Sequence, residues 1–476
     1  MVVYIVGAGP GDVELVTLKA KRVIERAEIL ICDKLVNEEI LNWAPADCEL
    51  IYMGKREQGS PRSQEIQQDI NDLIRKHGPS KRVVRLKGGD PFIFGRGGEE
   101  AQECVREGIP FEVVPGVSSA FAVPAYAGIP ASHRDFNSSF AVLTGHEAEK
   151  EESSIDWVHL PETLIILMGV SNTRDIAKKL LQTGRDPSTP VAAIYNGTTA
   201  GQETQVSTLE MVAEQGVKFS PPVILVVGRI ASLHEELAWF EKKLALARGK
   251  RVVLTSAESH QSESQELLES YGIKVVSMPL IEIVPREFAI PDLKRFDALV
   301  FTSVEGAKRV GEIADLEDYD GVMFAIGPRT KRHLMNESKI NATIGERFNS
   351  EGLAERITKN LVTGSRILAF RSSAATGVLR ESLSKRYEIT EIPVYDIKPI
   401  PADPETIWKS DAVFVASASS AKSLAELDPV IFDGKVLISI GPETSRHLPF
   451  PHITAATSTI QGMIDAYLDS LWTGFH

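Results

Sequence analysis

Short aliphatic and β-branched runs, each followed by a segment of helical period, recur along the whole chain. Residues 2–6, 29–32, 83–86, 111–114, 164–168, 191–195 and 223–227 read as buried strands, and 252–254 begins a further series. The segment after Asp12 places Val16, Ala20, Val23 and Ala27 on one helical face. Strands alternating with helices predict an α/β architecture. The stretch 240–250 is charged and ends R-G-K-R, so the main domain boundary is placed near Gly249, with 243–250 as a linker.

The second half carries an internal repeat. D-A-L-V-F-T-S from Asp297 matches D-A-V-F-V-A-S from Asp411, and the I-G-P segments around Gly327 and Gly441 match as well; both offsets are 114 residues (297 to 411, 327 to 441). Pro279 and Pro285 match Pro393 and Pro399 at that offset. A constant offset over three separated matches predicts two similar α/β lobes. The two P-x-x-x-x-x-P stretches would be paired hinge strands between them. The lobes are expected at 251–284 plus 400–476 and at 285–399, with a cleft between, a usual place for a small-molecule site.

In the first half, glycines cluster where strands end. Gly7-Ala8-Gly9-Pro10-Gly11-Asp12 follows the first strand, and five glycines fall between Gly88 and Gly98, beside Arg85, Lys87 and Arg96. Bare backbone at a strand end lets a ligand approach the main chain. The first cluster imitates a dinucleotide fingerprint, with Asp33 about where a ribose-binding acid would stand. Two details oppose that reading: Asp12 replaces the third glycine and would face a pyrophosphate, and Pro10 removes an N–H from the anion nest.

Composition narrows the classes. The chain has 476 residues, 43% hydrophobic and 25% charged, enough for two or three domains. No apolar run is long enough to span a membrane, and the N-terminus lacks the pattern of a signal peptide. The formal net charge of −13 argues against a general nucleic-acid binder. Cys32, Cys48 and Cys104 form no C-x-x-C pair, which fits a reducing cytoplasm, and the ten histidines form no metal-binding motif.

The first half resembles the uroporphyrinogen-III C-methyltransferases. The resemblance rests on G-A-G-P-G-D-V-E-L-V-T-L-K-A at 7–20, V-V-R-L-K-G-G-D-P-F-I-F-G-R-G-G-E-E at 83–100, V-P-G-V-S-S-A at 114–120, A-Y-A-G-I-P at 125–130, T-G-H at 144–146, L-M-G at 167–169 and N-G-T at 196–198. It runs unbroken over roughly residues 1–240. It implies a two-lobed α/β fold, assembly as a homodimer, and transfer of two methyl groups from S-adenosyl-L-methionine to uroporphyrinogen III, giving precorrin-2. By that resemblance Pro10, Gly88, Gly89, Asp90, Ile93, Ser118, Ser119, Met168 and Gly197 line the cofactor site. Asp33 matches a proton acceptor and Lys55 a proton donor. From the residues alone, Asp33 could cap the next segment or pair with Lys34. Lys55 suits a carboxylate clamp better than an acid, since an ordinary lysine is a poor proton donor near neutral pH. Arg56, Arg85, Lys87, Arg96 and Arg134 are candidates for the substrate's eight carboxylates, and His133 and His146 read as structural.

The second half, over roughly 250–476, resembles uroporphyrinogen-III synthase. It carries D-A-L-V-F-T-S, I-G-P-R-T, E-G-L-A-E-R-I, P-V-Y-D-I, D-A-V-F-V-A-S-A-S-S, I-G-P-E-T and T-I-Q-G-M-I-D-A-Y. The resemblance implies cofactor-free closure of hydroxymethylbilane to uroporphyrinogen III. It implies substrate contacts from Thr302, Ser303, Ser417, Ser419 and Thr444, whose alternative role is helix capping. Tyr395 matches a tyrosine implicated in leaving-group departure, and the repeat puts Ile281 at the equivalent place. Arg371 is a further candidate contact. Val304-Glu305, Ala416 and Ala418 depart from the common pattern. The whole then reads as a fusion of two consecutive tetrapyrrole enzymes, cytoplasmic, with small-molecule substrates and neither nucleic acid nor membrane as partner. With no dehydrogenase/ferrochelatase segment ahead of Met1, later steps are expected to need other proteins. The rivals are a methyltransferase for a later corrin intermediate, a nicotinamide-linked oxidoreductase, and a methyltransferase carrying a ligand-sensing lobe pair.

Overall fold

A computed structural model describes residues 1–34, 36–45, 47–53, 63–146, 154–258, 261–338, 340, 342–345, 347, 349–375 and 377–474. The chain divides into two compact units, Met1–Arg248 and Gly249–His476. The segment read as a linker is helical at its start, because the helix Trp239–Ala247 runs into it. No helix among the described residues is long and apolar enough to cross a membrane.

The first unit holds two sheets. Strands β1 (Val3–Gly7), β2 (Ile29–Asp33), β3 (Glu49–Met53), β4 (Val83–Lys87) and β5 (Phe111–Val114) form a parallel sheet in the order β3-β2-β4-β1-β5. Alternate residues face opposite sides. Val6, Leu30, Val84 and Leu86 pack with Ala20 and Ile24 on one side. Val3, Ile5, Ile29, Ile31 and Val83 pack with Ile70, Ile74 and Cys104 on the other. Each such side chain, fully buried, contributes roughly 1.5–3 kcal/mol. Continuous apolar runs are what a sheet covered on both faces requires.

The helix expected directly after Asp12 starts later. Val13–Leu15 is a 3-10 turn, Val16 is extended, and Leu18–Ile24 is the α-helix, because the Thr17 hydroxyl accepts from Ala20 N at 3.2 Å and caps it there. Ala20 and Ile24 are its buried residues.

The second sheet joins β6 (Phe140–Thr144), β7 (Thr163–Leu167), β8 (Pro190–Tyr195), β9 (Glu203–Thr208) and β10 (Val223–Val227) in the order β6-β7-β10-β8-β9. Only β6 and β7 pair in parallel. The helix Ser119–Tyr126, which follows β5, packs Ala120 and Val123 against Ile165, Leu167, Ile194 and Val226, and so joins the two lobes of this unit.

In the second unit, β11 (Arg251–Leu254), β12 (Lys274–Ser277), β19 (Ala412–Val415), β20 (Val436–Ser439) and β21 (Ile453–Thr454) form a parallel sheet in the order β12-β11-β19-β20-β21. The other sheet runs β13-β18-β17-β14-β15-β16, from β13 (Ile281–Pro285), β14 (Ala298–Phe301), β15 (Val322–Ala325), β16 (Thr343–Ile344), β17 (Arg366–Ser372) and β18 (Glu388–Pro399). Strands β14 and β19 begin 114 residues apart (298 and 412), as do β15 and β20 (322 and 436).

The first half of β18 pairs in parallel with β17. The ladder then shifts register at Arg371/Ser372, beside Pro393, which has no N–H to donate. Beyond that irregularity, β18 pairs antiparallel with β13.

Candidate active sites

In the parallel sheet of the first unit, β4, β1 and β5 are adjacent, so their C-terminal ends open on one edge. The glycines there bring three main chains together. A Cβ on Gly7 would stand 2.6 Å from Gly89 O, and one on Gly116 would stand 2.3 Å from the same oxygen. Gly9 and Gly89 exchange backbone hydrogen bonds of 3.2 and 2.7 Å, both with positive φ. Asp90 ties the loops further, accepting from Gly116 N at 3.0 Å and from Phe92 N at 2.8 Å. Ser118 caps the helix Ser119–Tyr126, Gly89 lies against Ser119, and Gly88 is exposed.

The second sheet faces this edge with β7 and β8, whose C-terminal ends carry Met168 and Asn196-Gly197-Thr198. A Cβ on Gly197 would meet Val123 of the capped helix at 2.3 Å. Asp12 N donates to Thr198 Oγ1 at 3.1 Å, and the Asp12 carboxylate accepts from Tyr126 OH at 2.7 Å. Non-glycine residues with positive φ among the described residues are Phe94, Arg96, Met168, Asn196 and Thr198, at 46–68°. All five lie on these loops, and each costs roughly 1–3 kcal/mol. The half-exposed Ile93 and Met168 add apolar surface.

Asp33 ends β2, and its carboxylate accepts from Arg85 Nη2 at 2.5 Å, with Lys87 Nζ 3.9 Å away. Behind it lies Glu100, whose Oε1 accepts from Arg85 Nε at 3.1 Å and Lys87 Nζ at 2.8 Å. Arg85 and Lys87, candidate substrate contacts, are held inside this cluster. Both are buried, 1% and 4% exposed, and their donors serve Asp33, Glu100 and the carbonyls of Ile31 and Leu86. Burial, reinforced by the Arg85 charge and opposed by Glu100 and Asp33, pushes the Lys87 ammonium below its usual range. Arg96 is half-exposed and bonded to Glu99, and Arg134 is exposed in the turn bracketed by His133 and Asn137. His133 Nδ1 accepts from Asp135 N at 3.2 Å. Lys55 and Arg56 lie outside the described residues.

In the second unit the hydroxyls stand at strand ends. Ser303 and Ser417 follow β14 and β19 and cap the helices Val304–Gly311 and Ala418–Ala425, accepting from Gly306 N at 2.9 Å and Ser420 N at 3.1 Å. Both helices lie against β18. Thr302 Oγ1 donates to Phe370 O at 3.3 Å. Ser419 is half-buried and Thr444 buried. Tyr395 on β18 donates its hydroxyl to Ser303 Oγ at 3.1 Å, and burial pushes its phenol above the usual value. Arg371, a candidate substrate contact, is buried and paired with Glu391. Glu305, one of the departures from pattern, pairs with Arg309 at 2.7 Å.

Residues 2–213 match the family model of tetrapyrrole (corrin/porphyrin) methylases, and residues 262–465 that of uroporphyrinogen-III synthase HemD. The porphyrin biosynthesis protein HemD of Ruminiclostridium josui is 31% identical over 499 residues, covering 98% of this chain and 97% of that protein. The chain belongs to this HemD porphyrin-biosynthesis family. Over its first half it is also similar to two methyltransferases. The uroporphyrinogen-III C-methyltransferase of Bacillus subtilis strain 168 is 47% identical over 249 residues, 51% of this chain and 95% of that protein. The S-adenosyl-L-methionine-dependent uroporphyrinogen III methyltransferase of Methanosarcina barkeri is 48% identical over 242 residues, 49% of this chain and 94% of that protein.

Three features of this HemD-family chain escaped the sequence reading. Asp12 counted only as a break in a fingerprint, yet it fastens the two lobes of the first unit through Thr198 and Tyr126. Gly116 was one letter of a motif and is a backbone contact point. Glu100 was the last letter of a motif, although helical spacing puts it on the face of Gly97 and Cys104, which are buried with it.

Proposed function

We propose that the second unit cyclises hydroxymethylbilane to uroporphyrinogen III and that the first methylates this product twice to precorrin-2, with S-adenosyl-L-methionine as donor. The boundaries that go with this reading are 1–242 for methyl transfer and 251–476 for cyclisation, with lobe one at 251–284 plus 400–476 and lobe two at 285–399. A cytoplasmic location and a homodimer formed through the methyltransferase half belong to the same reading.

The observation that carries the first activity is the glycine-tight edge of β4, β1 and β5 facing the strained turns after β7 and β8. It offers backbone polar groups and apolar side chains, and the buried cations behind it, Arg85 and Lys87, are paired with Asp33 and Glu100. That suits a sulfonium donor with no phosphate. S-adenosyl-L-methionine, when bound, supplies the methyl group. Pro10, Gly88, Gly89, Asp90, Ile93, Ser118, Ser119, Met168 and Gly197 would hold it, by backbone contact and apolar packing. Alignment of this kind can contribute ~7–11 kcal/mol to lowering a barrier. The methylated pyrrole must then lose a proton, and Asp33, about one-third exposed and oriented by Arg85, is the acceptor. Lys55 serves as clamp or donor, and Arg56, Arg96 and Arg134 bind substrate carboxylates.

In the second unit, Tyr395 is the one ionisable hydroxyl of the hinge ladder, and it would assist departure of the substrate hydroxyl. Thr302, Ser303, Ser417, Ser419 and Thr444 would grip carboxylates at the strand ends. Incubation of the full chain with uroporphyrinogen III and methyl-labelled donor tests the first activity. Two labels per tetrapyrrole support it; no transfer to uroporphyrinogen III refutes it.

A further inference from the structure

Glu100 has a fully buried side chain, and among the described residues its Oε2 has no hydrogen-bond partner. Its other oxygen holds both Arg85 and Lys87, and the same two cations reach Asp33. Two carboxylates and two cations therefore form one buried cluster, of which only Asp33 opens appreciably to solvent, 35% against 5% or less for the other three. A buried carboxylate with an unmet oxygen is costly, and an apolar pair could anchor the helix Gly97–Arg106 as well or better. Packing therefore gives no reason for Glu100. Charge does. A carboxylate facing Arg85 and Lys87 alone would be held so firmly as an anion that it would accept a proton poorly. Glu100 cancels one of those two positive charges from behind.

We propose that Glu100 and Lys87 are positioning residues for Asp33, one on each side of a charge balance that keeps its carboxylate aimed and able to take the substrate proton. This rests on the reading of Asp33 as the proton acceptor. Other charged groups nearby are Lys34 beside Asp33, Glu38 on the helix Glu38–Leu41, and Glu99, which feels Lys87. Lys55 and Arg56 lie outside the described residues.

The two residues should act with opposite sign, which a merely structural role would not produce. The test is the single-turnover rate of methyl transfer by the full chain from about pH 4 to 9, for the wild type, Glu100→Gln, Lys87→Met and Asp33→Asn. Removing Glu100's negative charge favours the Asp33 anion, so the acid limb should move down by about one pH unit. Removing Lys87's positive charge should move it up by about as much. Titration of the substrate's own carboxylates is common to every variant and cannot give opposite shifts. The infrared carboxylate band that disappears in Asp33→Asn, followed against pH in the ligand-free protein, should show the same two shifts without turnover. Limbs and bands that stay in place, or move the same way in both variants, overturn the proposal. If Glu100→Gln does not fold, Lys87→Met decides alone, and an unmoved or lowered limb and band overturn it. Full activity in Asp33→Asn would instead overturn the reading of Asp33 as acceptor.

Discussion

Ile283 and Ile397 are register partners at the centre of the antiparallel ladder between β13 and β18, and they are also the pair that the 114-residue repeat aligns (283 and 397). The ladder is therefore symmetric about them. Ile281 opposite Pro399 and Pro285 opposite Tyr395 exchange places under the repeat. The chemistry is not symmetric throughout: the repeat aligns Val284 with Lys398 and Ile281 with Tyr395. Tyr395 reaches Ser303, whereas its counterpart Ile281 has no hydroxyl, and Ser417 bonds Ser420 Oγ at 2.9 Å instead.

Tyr395→Phe removes that hydroxyl and leaves the ring. Cyclisation is expected to slow by about 10²-fold or more, the lower range for loss of a general acid, while methyl transfer is unchanged. Because burial raises the Tyr395 phenol above 10, the group stays protonated through neutral and mildly alkaline pH. Wild-type cyclisation should accordingly show no loss assignable to Tyr395 between about pH 7 and 9. Type III product formation by both proteins, followed against pH, checks both points.

Gly116→Ala and Gly98→Ala should diverge. The first puts a Cβ 2.3 Å from Gly89 O and must push the strand-end loops apart, costing about 1–3 kcal/mol or more and weakening donor binding at least tenfold. The second meets nothing within 4 Å, lies in a helix, and should stabilise by roughly 0.5–1 kcal/mol. Calorimetric binding and melting temperatures distinguish them.

Glu391→Gln and Arg286→Ala compare a buried ion pair with an exposed one. Arg371 is 8% exposed at the side chain and would lose its charged partner in the first variant, at a cost of about 3–5 kcal/mol. The Arg286–Asp396 pair at 3.1 Å is half open to water, so its loss should cost under about 1 kcal/mol. Urea unfolding of the second unit's transition gives both values.

The three cysteines should resist alkylation while the protein is folded. Burial pushes their thiols to about 11 (Cys32 and Cys104) and about 12 (Cys48), so little thiolate exists near pH 8 and access is blocked as well. Iodoacetamide followed by mass analysis should label none of them in native buffer and all three in denaturant.

Strands such as Val3–Gly7, Ile29–Asp33, Thr163–Leu167 and Val223–Val227 were legible because they are buried apolar runs, whereas Glu49–Met53 and Glu203–Thr208, polar and partly exposed, were not. The repeat was legible because Asp297 and Asp411 do the same local work: each carboxylate accepts from the first strand residue beside it, Arg366 N at 2.7 Å and Arg251 N at 2.8 Å. The start of the first helix was missed because a threonine cap overrides apolar spacing. The burial and pairing of Arg85, Lys87 and Arg371 were not legible, because a sequence shows a charge without its partner. The carboxylates that claim them come from other elements: Asp33 from 52 residues away, Glu100 from 15 and Glu391 from 20.

The most direct test of the two-step reading is the full chain given hydroxymethylbilane, with and without S-adenosyl-L-methionine, with products identified by mass and by isomer after oxidation. The expected result is type III uroporphyrinogen without the donor and a dimethylated product with it. Type I isomer alone, the product of unassisted closure, would contradict the synthase assignment and favour a ligand-sensing role for the second unit.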